Sequence, residues 1–94
     1  MGFTKQEKDQ TVILKIDGPL TIDNLKHLKE ELITCYDEYS GIVLDLKNVN
    51  ECDTAGIQLL WATRKTATYK NKSFSIQSPS ESIKNAAERI GIGL

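Results

Sequence analysis

The sequence predicts an α/β fold, a mixed β-sheet of four to five strands with amphipathic helices packed against it, in one domain over residues 1–94. Two observations carry this expectation. Apolar residues recur with two alternating periods, near two in some segments and near 3.6 in others. The resulting order, β(β)αβαβα, predicts right-handed crossovers with helices laid on the sheet. A chain of 94 residues supports one hydrophobic core and not two.

Phe3 to Glu7 reads as a weak first strand, turning at Asp9-Gln10. In the stretch TVILKID, Val12, Leu14 and Ile16 point one way and Thr11, Ile13 and Lys15 the other, which is strand periodicity. Gly18-Pro19 is expected to end that strand. From Thr21, a plausible N-cap, the period becomes helical: Ile22, Leu25, Leu28, Leu32, Ile33 and Tyr36 form one predicted apolar stripe. Ser40-Gly41 breaks the helix. The run GIVLDL that follows is almost continuously apolar, the pattern of a strand covered on both faces. A second helix is expected from about Thr54 to Tyr69, ended by Asn71, and SFSIQ then alternates with Phe74 and Ile76 inward. Ser78-Pro79-Ser80-Glu81 reads as a helix start, with a serine cap, proline at the first helical position and glutamate completing a capping box. Ile83, Ala86, Ala87 and Ile90 supply its buried stripe, and Gly91 its stop.

Composition removes several classes of function. Twelve basic and 13 acidic side chains leave a net charge of −1, so no positive excess invites nucleic acid or an anionic membrane. There is no signal-peptide core and no apolar run able to span a bilayer, which places the chain in the cytoplasm. Met1-Gly2 begins a myristoylation pattern, but Gln6 stands where Ser or Thr is needed. Cys35 and Cys52 form no CxxC and read as reduced thiols. His27 falls off the apolar stripe with no second His or Cys at ligand spacing, so it reads as a surface residue, and no metal is expected. No GxGxxG, P-loop lysine or Gly-x-Ser-x-Gly elbow occurs, and neither Asp45 nor Asp53 has an evident acid or base partner. The expectation is a non-enzyme without a cofactor.

Interest concentrates in NVNECDTAGIQLLWATRK, residues 48–65. Loops leaving the carboxyl ends of the central strands are where such folds bind ligands and partners. Asp53 is suited to accept hydrogen bonds from Ala55 or Gly56 as a helix cap. Thr54 then stands in the first turn, near the positive end of the helix dipole. The small Ala55 and Gly56 are expected to leave its approach open. A phosphate there gains from the dipole and the free N–H groups, and adds about two negative charges to a nearly neutral surface. A plain capping motif explains the same residues. The two readings are compatible, because a good cap holds the hydroxyl still. Cys52, flanked by Glu51 and Asp53, reads as a packing residue, since negative neighbours disfavour a thiolate. On the second helix, Trp61 shares a face with Ile57, Leu60 and Arg64, while Gly56, Leu60, Thr63 and Ala67 share an overlapping one. If the latter faces the sheet, Trp61 is a partly exposed anchor for a partner.

The segment GIVLDLKNVNECDTAGIQLL resembles the signature region of STAS domains, the family of bacterial anti-sigma-factor antagonists: an apolar strand ending Asp-Leu, a short loop, then Asp-Ser/Thr-x-Gly-Leu opening a helix. IDGPLTIDNLKHLKEEL is similar to the family's first strand and helix, and FSIQSPSESIKNAAERIGI to its later strand and final helix. The resemblance implies a switch. The unphosphorylated form binds an anti-sigma factor that is also a serine/threonine kinase and so frees the sigma factor. Phosphorylation then releases it, and a phosphatase restores it. Residue by residue, it implies Thr54 as phosphoacceptor, with Asp53, Ala55, Gly56, Ile57 and Trp61 in the partner surface, spanning the loop Asn48–Gly56 and the start of the second helix. The commonest antagonist motif has serine at its second and third positions, where this chain has Thr54 and Ala55. Threonine also resembles STAS proteins outside sigma regulation, which implies as alternative a non-catalytic subunit of a bacterial lipid-transport ABC complex or of a chemotaxis-type assembly.

Overall fold

The computed structural model of the protein describes residues 2–92. Strands β1 (Gly2–Lys8) and β2 (Thr11–Leu20) form an antiparallel hairpin around Asp9-Gln10. A short 3-10 turn, Ile22–Asn24, leads to α1 (Lys26–Glu38), and β3 (Gly41–Cys52), α2 (Thr54–Tyr69), β4 (Ser73–Gln77) and α3 (Glu81–Ile90) follow. The sheet has four strands in the order β1-β2-β3-β4, with β2–β3 and β3–β4 parallel. The expected mixed α/β architecture is therefore present.

Both parallel connections step the same way across the sheet. A right-handed crossover each time puts α1 and α2 on one face, and α3 packs there too, against β3 and α2. The residues record this one-sidedness. Val12, Leu14, Ile16, Ile42, Leu44 and Leu46 are fully buried, whereas Ile13 and Val43 are half-buried and Lys15 is exposed. The reading of GIVLDL as covered on both faces is corrected: only alternate residues enter the core. At about 1.5–3 kcal/mol for each large apolar side chain fully buried, this single layer carries the hydrophobic stabilisation.

Five local expectations are also corrected. Gly18-Pro19 does not end β2. Gly18 takes a φ of 100°, open to glycine, and the strand continues to Leu20 through irregular register with β3. Proline is tolerated because β1 pairs β2 only as far as Asp17, leaving that edge free beyond it. As a consequence β3 also extends, and Asn48–Cys52 is strand rather than loop, with Cys52 opposite Leu20. Thr21 makes no side-chain cap to the backbone. Its hydroxyl instead accepts from the Asn24 amide at 3.1 Å, and α1 begins only at Lys26. Ile22 and Ile33 leave the predicted stripe, 70% and 61% exposed, while Leu25, Leu28, Leu32 and Tyr36 stay buried. The last helix starts at Glu81, not Pro79. Its cap is Ser80, whose hydroxyl accepts from Ile83 N–H at 3.3 Å.

Candidate functional site

The carboxyl ends of β2 and β3 lie side by side, and Asp53 is the single residue between β3 and α2. Its backbone is extended, as an N-cap requires, and one carboxylate oxygen accepts from Gly56 N–H at 2.9 Å. The other oxygen accepts from Ile22 N–H at 3.0 Å, across 31 residues of sequence. The Asp53 N–H in turn donates to the Leu20 carbonyl at 3.4 Å. One side chain thus ties the start of α2 to the turn that follows β2. The Ile22 N–H foremost, and the Gly56 N–H after it, hold the Asp53 carboxyl below the usual carboxylate range, against an opposing effect of burial that ranks between the two.

Thr54, the first residue of α2, is exposed, so its hydroxyl stands at the positive end of a helix of 16 residues. Gly56 does something other than clear the approach to it. The glycine is buried, and a Cβ there would collide with the Leu20 carbonyl oxygen and come within 2.9 Å of Cys52 Sγ. Its smallness lets α2 sit down on the end of β2. Ile57 is fully buried. The expected direct partner contacts of Gly56 and Ile57 are corrected on these grounds: both lie beneath the surface and position it. Ala55 is half-buried, and Asp53 is half-buried at the rim.

Of the two overlapping faces of α2, the one with Gly56, Leu60, Thr63 and Ala67 turns to the sheet. The Thr63 hydroxyl satisfies itself by donating to the Leu59 carbonyl at 2.7 Å. Trp61 is left 45% exposed, two turns beyond Thr54 on the same side of the helix, with the Lys65 ammonium 4.5 Å from its ring centre. Cys52 is free and buried. Burial, then the Asp53 charge, push its thiol up to about 11, so it is protonated and unreactive at neutral pH. Cys35 is likewise free, pushed up to about 11 chiefly by burial. His27 is exposed beside Glu30 on α1. Among the described residues, no group of three His, Cys, Asp or Glu side chains could hold a metal ion. No helix among them is long and apolar enough to cross a membrane.

Sequence reasoning missed Ile22. Its apolar character and spacing placed it on the α1 stripe, yet it belongs to the rim of the Asp53–Thr54 site. The nearest signal was Thr21 directly before it, which also suits a turn; the hydrogen bond to Asp53 has no local signature.

Residues 3–93 match the family model described as "Mlab, STAS domain". Among solved structures, the chain is similar to the anti-sigma factor antagonist SpoIIAA in its unphosphorylated form, with a TM-score of 0.78 at 17% identity over 98% of this chain and 83% of that one. It is equally similar to the Bacillus cell fate determinant SpoIIAA in the phosphorylated form, with a TM-score of 0.78 at 15% identity over 98% and 86%. SLC26A9 matches with a TM-score of 0.78 at 15% identity, over 92% of this chain but 17% of that one. At these identities the structural matches establish a shared fold. With the fold, the Asp-Thr-Ala-Gly helix start and a family match over nearly every residue in agreement, the chain belongs to the STAS domain family.

Proposed function

We propose that this chain is an anti-sigma-factor antagonist working by partner switching. Unphosphorylated, it binds an anti-sigma factor with serine/threonine kinase activity and so releases a sigma factor. Phosphorylation of Thr54 ends that association, and a phosphatase restores it. The chain is the substrate of these enzymes and not a catalyst, needs no cofactor, and works in the cytoplasm, where ATP and the transcription machinery are.

The observation that carries this reading is the exposed Thr54 hydroxyl at an N-terminus whose cap is held from two sides. A phosphate at a helix N-terminus is favoured by the dipole and the free N–H groups. On a chain of net charge −1, about two added negative charges change what the surface attracts. The fold is shared with SpoIIAA in both its unphosphorylated and its phosphorylated form. In the test, the chain is incubated with its cognate anti-sigma kinase and labelled ATP. Wild type is expected to incorporate label and lose kinase binding, whereas Thr54→Ala takes up none and remains bound. Label persisting in Thr54→Ala would place the acceptor elsewhere.

A second reading is favoured by the family description and by the SLC26A9 match, in which this fold forms a small part of a much larger chain. Here the domain is a standing subunit, of a lipid-transport ABC complex or a chemotaxis-type assembly, and Thr54 touches its partner unmodified. Phosphoprotein analysis of growing and stressed cells separates the two, since the subunit reading expects no Thr54-phosphorylated pool in either.

A further inference from the structure

Asp53 holds up a side chain as well as a helix end. Its Oδ1 accepts from Gly56 N–H at 2.9 Å and its Oδ2 from Ile22 N–H at 3.0 Å. Its own N–H donates to the Leu20 carbonyl, so the residues on both sides of Thr21 are tied to this one aspartate. The turn is also closed from within. Asn24 N–H donates to the Thr21 carbonyl at 2.8 Å, and the Asn24 side-chain amide to the Thr21 hydroxyl at 3.1 Å. Yet the side chain that this bonding fixes in place faces water. Ile22 is 70% exposed, and it lines one hollow with Ala55 and Gln58, beside the first turns of α2.

The residue type at position 53 is informative. One acceptor oxygen is enough to cap α2, and serine, threonine or asparagine would supply it. None of these carries a second acceptor oxygen, and asparagine would turn an amide donor toward the Ile22 N–H. Aspartate has two acceptor oxygens, and here both are used, one on each segment. An apolar side chain whose backbone is already fixed loses little freedom when a partner buries it, so the burial goes into affinity. Ile33 supplies the contrast. It is 61% exposed, but it stands on α1, two turns beyond the start of that helix and outside the hollow that Ile22 shares with Ala55.

We infer that Ile22 is a recognition residue for the protein kinase that acts at Thr54, and that Asp53 is the positioning residue that presents it. The inference rests on the reading of Thr54 as phosphoacceptor and deepens it. The aspartate of the Asp-Thr-Ala-Gly start then has two separable tasks, capping α2 through one oxygen and fixing the recognition turn through the other. A kinase seated over Thr54 covers Ile22 as the apolar neighbour of the acceptor, and burying that side chain supplies affinity. The chemistry itself is unchanged: ATP gives its terminal phosphoryl group to the Thr54 oxygen, the hydroxyl proton is lost, and ADP leaves.

The test measures initial rates of Thr54 labelling by the cognate anti-sigma kinase against the concentration of the whole chain. Ile22→Ala is expected to raise KM about tenfold with little change in kcat, the mark of lost binding rather than lost chemistry. Ile22→Leu should restore most of the affinity. Asp53→Ser keeps a capping hydroxyl but leaves the Ile22 N–H without its acceptor, and should raise KM by a similar factor while urea unfolding shows a stable fold. The double variant Ile22→Ala, Asp53→Ser should be no worse in KM than either single one, because both remove the same contact. Ile33→Ala should leave KM at the wild-type value. Label on wild-type Thr54 together with an unchanged KM in Ile22→Ala would overturn the inference and leave the Thr54 reading standing. Additive losses in the double variant, or an equal loss in Ile33→Ala, would also overturn it. No label on wild-type Thr54 would overturn the reading, and the inference with it.

Discussion

At the scale of single residues, Asp53 concentrates the most structural information. Its two carboxylate oxygens serve two segments that are far apart in sequence, capping α2 through Gly56 N–H and fixing the turn after β2 through Ile22 N–H. Asp53→Ala is expected to lower stability by about 1–2 kcal/mol, the range of a lost helix cap, read by urea unfolding at neutral pH. The pH dependence has a definite sign. The folded-state pKa of Asp53 is lowered, so its contribution is present above the unfolded value of about 4 and is lost as pH falls through the lowered value. Asp53→Asn preserves a capping oxygen without the charge. Its deficit against wild type should therefore be full at neutral pH and shrink as pH falls through the lowered value; a deficit unchanged in acid would assign the effect to packing. The cap was legible in the sequence because capping is local chemistry. The bond to Ile22 was not, since it depends on two strand ends being brought side by side.

The elements show the same division. The α2 range expected from periodicity agrees with the structure, and so does the 73–77 strand, because hydrophobic spacing along one element is written in one stretch of chain. Strand ends behaved differently. Gly18-Pro19 has the composition of a stop, yet β2 passes through it, because β3 continues alongside and supplies the hydrogen bonds that extension needs. The approach of α2 to β2 is equally a property of two elements together. Gly56 lies where a Cβ would meet the Leu20 backbone, which cannot move aside as a flexible side chain could. Gly56→Ala is expected to cost about 1–3 kcal/mol as overpacking and to displace the start of α2, measured by denaturant unfolding together with amide shifts at Ile22 and Asp53. Unchanged stability would mean that the helix end accommodates a methyl group without strain, and that the glycine is there for another reason.

For the molecule as a whole, the defining property is a sheet with all described helices on one face. Two equivalent substitutions test it. Val12→Thr places a hydroxyl on the fully buried, helix-covered face and is expected to cost about 1–3 kcal/mol. Val43→Thr places the same group on the open face, where water reaches it, and is expected to change stability by less than about 0.5 kcal/mol. Comparable losses in both, measured by equilibrium unfolding, would imply that the second face is covered. The one-sided layer also explains where recognition concentrates: the exposed sides of α1 and α2, with the turn before α1, present Ile33, Trp61 and Ile22, while the sheet's open face is largely polar.

The sequence by itself determined the order and type of the elements, the capping role of Asp53 and the placement of Thr54 in the first turn of α2, because each follows from spacing and backbone chemistry within a few residues. Tertiary structure alone decided that Gly56 and Ile57 lie beneath the surface, and that Ile22 belongs to the rim of the Thr54 site. These depend on which strand end lies beside which, and on which side of the sheet the crossovers place their helices. The spacing of residues within any one segment carries no record of either.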